Sequence, residues 1–176
     1  MKRHLSTATA MIALFTFSAS HSTEHEYRLA QNAPPSAATK SAPQAFQPGM
    51  DDLMTMLVTP RHIKLYYAGT AENWELADFE LRELRSAFRR IMNTIPVYRD
   101  RDVEEAVGAV LAPHLDDTAG AIADGDLKHF ARAYEELTAS CNACHTYLEH
   151  PFLVVKVPLA RSASAYPNQN FEAPAP

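Results

Sequence analysis

The sequence predicts an all-α fold, an up-down-up-down four-helix bundle, and three observations predict it. Trp74, Ala77, Leu81, Leu84, Phe88 and Ile91 follow in alternating steps of three and four, which draws one apolar stripe along a helix. Leu127, Phe130, Tyr134, Leu137, Cys141 and Cys144 repeat the pattern further along the chain. No segment alternates apolar and polar residues with period two, so no sheet is expected. Short connections between four helices make sequence neighbours antiparallel.

Residues 1–20 read as a secretory signal peptide. Lys2, Arg3 and His4 precede an apolar stretch, and the small residues Ser18, Ala19 and Ser20 follow it. That stretch is about half the length a bilayer span needs. No later segment is long and apolar enough either, so the mature chain is expected to have no membrane span and to be periplasmic. Residues 21–49 are rich in Ala, Pro, Ser and Gln, a composition that buries too little apolar surface to offset ordering, and read as a flexible leader. The folded domain is expected over residues 50–151. A net charge of −5 argues against a nucleic-acid partner.

The first helix is expected over about residues 50–68. It is interrupted or restarted at Pro60, with Thr59 able to cap, and Gly69 ends it. Asn73 or Thr70 caps the second helix, and Pro96 lies beyond its end. Its Glu80, Arg82, Glu83 and Arg85 read as a solvated face whose ion pairs contribute little. Val103, Val107, Val110, Leu111, Leu115 and Ile122 mark the third helix, with a kink at Pro113. The fourth begins near Asp126 and is closed by Pro151. In the tail, residues 152–176, the run Phe152, Leu153, Val154, Val155 and Val157 is apolar enough to drape over the domain, the alternative being disorder. The stretch from Tyr166 to Phe171 has no reading at this level.

The chemistry-bearing motif is C-x-x-C-H at Cys141, Cys144 and His145, which holds the chain's two cysteines. This spacing is the attachment signal for haem c: each thiol adds to one vinyl group, and the adjacent imidazole binds the iron. Three other readings compete. A dithiol redox pair normally opens a helix, where the helix terminus lowers a thiol pKa, whereas this pair falls late in one. Zinc needs about four ligands, and only His150 is near in sequence. A disulfide across two residues strains a continuous helix. The cysteines also continue the buried stripe of the fourth helix, so a haem held there enters the core.

With its run over residues 126–145 ending in that motif, the chain resembles the class II c-type cytochromes, the cytochrome c' group with its low-spin relatives. The resemblance implies a periplasmic bundle with Cys141 and Cys144 as thioether anchors for one haem c and His145 as proximal iron ligand. The leader and the tail depart from the family pattern. The family places its distal residue on the first helix, which here carries Met54, Met56 and His62. Met54, Val58 and His62 share one stripe, while Met56 points towards Ile63 and Tyr67. His62 is the first candidate for distal ligand, then Met56 or Met54, with His114 more remote. A methionine or histidine on such a stripe also serves simply as packing. His129 and His150 read as surface or helix-end residues, and Tyr66, Tyr67 and Trp74 as core aromatics.

A filled sixth position suits electron transfer between redox protein partners, the first functional expectation. An open position suits binding of NO or CO, the alternative. A non-haem helical interaction domain with a disulfide is the third. No Ser-His-Asp set, carboxylate pair or phosphate loop stands out, so no enzymatic activity is expected. Dimers occur among the relatives, which makes a homodimer a further expectation.

Overall fold

The stripes read from the sequence become four helices joined by short connections in the computed structural model, which describes residues 45–159 and 166–174. The signal-peptide reading and most of the leader fall outside these residues. Helix α1 comprises Met50–Leu53, a wider π-helical turn Met54–Val58, and Thr59–Thr70. Helix α2 is Trp74–Thr94. Helix α3 comprises Val103–Ala106, a second π-helical turn Val107–Leu111, and Ala112–Asp124. Helix α4 is Leu127–Tyr147. Each helix packs against the next, and α1 also packs against α4. Leu65, Leu81, Leu84, Leu111, Phe130 and Tyr134 are among the side chains wholly buried between them. Among the described residues no helix is long and apolar enough to cross a membrane.

Side chains supply the missing bonds at three helix starts. Asn73 Oδ1 accepts from the Leu76 amide at 3.2 Å, Asp102 Oδ1 from Glu105 at 2.8 Å, and Asp126 Oδ1 from His129 at 2.9 Å. Both π turns end just before a proline. A proline lacks the N–H of an α-helical bond, and its ring strikes the carbonyl four residues back. Here the turn widens instead: the Thr59 amide reaches back to the Met54 carbonyl, and the Ala112 amide to that of Val107. The Thr59 hydroxyl donates to the same Met54 oxygen at 3.0 Å, so it does not cap a restart as the sequence suggested. The extra residue in each turn makes room for the ring, and the chain stays helical through Pro60 and Pro113.

Three other expectations are corrected. Gly69 does not end α1, which runs on to Thr70. The left-handed residue is Glu72 (φ 56°), and the Glu72 and Asn73 amides close the end on the carbonyls of Gly69 and Ala68. Gly69 is needed for packing instead: a Cβ there collides with the Phe130 ring. Glu80 is not on a solvated face. It is 2% exposed and pairs with Arg61 at 3.0 Å. A sheet exists as well, the hairpin β1 (Val97–Tyr98) with β2 (Arg101–Asp102). Arg99 and Asp100 both have positive φ (50° and 58°), as the tight mirror-image hairpin turns require. Strands of two residues are too short to show alternation, so the period test had nothing to detect. Arg99 and Arg101 reach Glu149 at 3.7 and 3.1 Å, tying the hairpin to the end of α4.

The tail lies back on the domain in both of its described parts, but not through the whole apolar run: Val155 and Val157 pack against the core, while Phe152, Leu153 and Val154 are exposed. The stretch that had no reading seats Phe171 in the core, 5% exposed and edge-on to Tyr67 at 5.3 Å. Asn73 Nδ2 donates to the Glu172 carbonyl at 2.8 Å, and the Lys64 ammonium lies 4.8 Å from the Tyr166 ring centre.

Two glycine substitutions are expected to act in opposite directions. Gly69→Ala overpacks against Phe130 and costs roughly 1–3 kcal/mol. Gly120→Ala, where a Cβ meets nothing within 4 Å, gains up to about 1 kcal/mol from helix propensity. Urea unfolding of the two variants beside the parent checks both signs.

Candidate functional site

Cys141 and Cys144 lie on the buried face of α4, each 8% exposed, and both are free thiols. Burial, helped by the neighbouring Cys144, pushes the Cys141 thiol up to about 12, and burial also raises Cys144. Both are therefore protonated at neutral pH. A dithiol redox centre needs the reverse, a thiolate stabilised by its surroundings. Among the described residues no three His, Cys, Asp or Glu side chains converge to hold a metal ion, so the motif offers two thiols and one imidazole.

His145, half-buried on the last turn of α4, has Nδ1 2.8 Å from the Leu153 carbonyl oxygen. A carbonyl only accepts, so Nδ1 carries the hydrogen, and of the two neutral tautomers this bond selects the one with its lone pair on Nε2. That is the tautomer a ring needs to bind a metal through Nε2, oriented by an outer hydrogen bond. The chain is turned back to make this bond. Glu149 is left-handed (φ 65°), and the amides of Glu149 and His150 donate to the carbonyls of Thr146 (3.1 Å) and His145 (2.7 Å). The helix thus closes before Pro151. Asn142, inside the cysteine motif, then grips the returning strand: Oδ1 accepts from the Val155 amide at 2.7 Å, and Nδ2 donates to the Val155 carbonyl at 2.9 Å.

His62 is buried on α1 with both ring nitrogens engaged. Nε2 lies 3.1 Å from Thr138 Oγ1, and Nδ1 lies 2.9 Å from the Tyr134 hydroxyl. The Thr138 hydroxyl donates to the Tyr134 carbonyl at 2.8 Å, which leaves its oxygen to accept from Nε2–H. With Nε2 donating, Nδ1 can only accept, so the single Tyr134 hydroxyl hydrogen is shared between Nδ1 and the His62 carbonyl, 2.7 Å away. Burial lowers His62 to about 4 and raises Tyr134 well above its ordinary range, so both are neutral.

These contacts set the register between α1 and α4. His62 sits on Thr138, Tyr66 on Tyr134 at 5.1 Å between ring centres, and Gly69 on Phe130, so the two helices run antiparallel. His62 is therefore level with Thr138, about 10 Å along the axis from His145. Because the helices are antiparallel, Met54 lies about 12 Å from His62 in that same direction, which by helix rise brings it towards the level of the cysteine motif. Met54 is partly buried against the core. Met56 is 56% exposed. His114 is half-exposed on α3, and His129 pairs with Asp117 at 3.0 Å. His150 bonds the Leu148 carbonyl (2.8 Å) and the Tyr98 hydroxyl (3.3 Å) at the helix end.

Asn142 and Leu153 were not foreseen. A single asparagine carries no pattern, and a backbone carbonyl has no sequence signature. Comparison with protein-family models, curated proteins and solved structures finds no match for this chain. The donor set itself fits covalent haem: two free thiols on one face of a helix, followed by an imidazole held with Nε2 available.

The depressed His62 sets a pH dependence. Above its ordinary value of 6.5 the ring is neutral folded and unfolded. As pH falls from there towards about 4, only the unfolded chain takes up the proton, so stability falls. The expected loss is about 2 kcal/mol between pH 7 and pH 5. In urea unfolding at the two pH values, His62→Gln is expected to lack that part of the loss.

Proposed function

We propose that the chain is a monohaem c-type cytochrome of the class II kind, carrying single electrons between redox protein partners in the periplasm. Its four helices form an up-down-up-down bundle in this reading. The observation that carries the proposal is the His145 Nδ1 contact with the Leu153 carbonyl, with no partner for Nε2 among the described residues, beside two buried free thiols. When bound, the haem supplies one-electron exchange at its iron. Cys141 and Cys144 anchor it and His145 Nε2 is the proximal ligand. The buried stripe they share with Phe130 and Tyr134 keeps water from that side of the site.

Register favours Met54 as the distal ligand. His62 lies about two helical turns from the level of His145, and both its nitrogens already have partners. Met56 is turned outward. Methionine ligation raises the reduction potential relative to a second histidine.

The test is the absorption spectrum of protein produced in cells competent in haem attachment, taken oxidised, reduced, and reduced with carbon monoxide. Sharp reduced bands that ignore carbon monoxide are expected. Bands that shift with carbon monoxide mean an open sixth position and favour the gas-binding alternative. A colourless protein overturns both and leaves the helical interaction domain. Two substitutions localise the ligands. Cys144→Ala weakens or abolishes covalent attachment, and Met54→Ala converts the low-spin spectrum to a carbon-monoxide-responsive one while His62→Gln leaves it low-spin.

A further inference from the structure

The returning strand of the tail does more than cover α4. Leu153 and Val155 are two apart in the returning segment; in extended chain such residues present groups to the same side about 6.6 Å apart. Asn142 and His145, three apart on a helix, are neighbours about 5–6 Å apart on one face. The two spacings nearly match, so the strand makes both contacts at once. A primary amide offers an acceptor and a donor side by side, matching the N–H and C=O of one residue. Asn142 therefore fixes the strand as a neighbouring strand would, with bonds of 2.7 and 2.9 Å to Val155. The Leu153 carbonyl is thereby held 2.8 Å from His145 Nδ1. Further on, Phe171 is buried against Tyr67 and the Glu172 carbonyl is held by Asn73, so the tail is pinned beyond the clamp as well.

We propose that this C-terminal strap, clamped by Asn142, sets the tautomer and donor strength of the proximal imidazole. The effect on iron rests on the haem reading; the effect on the ring does not. A hydrogen bond from Nδ1–H to a carbonyl leaves more electron density on the ring and makes Nε2 a stronger donor. A stronger donor favours ferric over ferrous iron, so the intact strap lowers the reduction potential. Asn142 is a positioning residue, acting on His145 through Leu153.

The test compares the parent with Asn142→Ala, which removes both clamp bonds and is favourable in a helix, and with Val155→Pro, which removes the N–H that Asn142 accepts. Circular dichroism identifies the variants that keep their helices, and either one suffices. In reduced, haem-loaded, 15N-histidine-labelled protein, the His145 Nδ1–H is expected to exchange slowly in the parent and fast in the variants. The midpoint potential is expected to shift upwards in both variants. Unchanged exchange and potential overturn the proposal. If haem never attaches, the functional reading fails, and the strap is read in the haem-free full-length chain. There the parent shows the Nδ1–H tautomer of His145 and the variants revert towards Nε2–H. The same tautomer in all three overturns the strap.

Discussion

The seam between α1 and α4 is the constraint on which the rest of the structure depends. Gly69 lets the α1 backbone lie against the Phe130 ring, where any side chain collides. One turn away Tyr66 meets Tyr134, and beyond it His62 is bonded to both Tyr134 and Thr138. A close steric fit at one end and a buried polar cluster at the other leave a single register. Sliding by one turn strands a buried imidazole, a phenol and a hydroxyl without partners, each costing about 1–3 kcal/mol. That register sets which part of α1 lies level with the cysteine motif.

The same seam gives His62 a role that needs no iron. Its ring, the Tyr134 hydroxyl and the Thr138 hydroxyl bond one another inside the core. Such a network specifies one packing because a partly satisfied version is worse than an apolar one. The π turn in α1 acts at the other end. By absorbing Pro60 without breaking the helix, it keeps Met54 on the continuous α1 that the seam positions. An ordinary proline break there would leave the start of α1 free of that register.

Much of the fold was legible because helical periodicity is a local property. The stripe from Trp74 to Ile91 is buried at Ala77, Leu81, Leu84, Phe88 and Ile91. The stripe ending at Cys144 is buried at Phe130, Tyr134, Leu137, Cys141 and Cys144. Asn73 and Asp126 cap where the pattern placed them. What was misread depends on partners far away in sequence. Glu80 looks like a surface acid until Arg61 is brought across to it. Gly69 resembles a helix terminator until Phe130 is laid against it. The hairpin comes from two left-handed residues, Arg99 and Asp100, neither of which is a glycine to announce it. Phe171 is one aromatic in a polar stretch, and only the groove at Tyr67 makes it core.

The sequence by itself determined the four helices, the caps at Asn73 and Asp126 and the C-x-x-C-H set, because periodicity, capping chemistry and motif spacing each lie within one turn or one helix. It placed Cys141 and Cys144 on a buried face and His145 next to them. Only the tertiary structure decided the register of α1 on α4, since register is set by contacts between segments far apart in the chain. It alone decided the tautomer of His145 as well. That depends on a backbone carbonyl of the tail, carried back over the helix by a left-handed Glu149 and held there by the amide of Asn142.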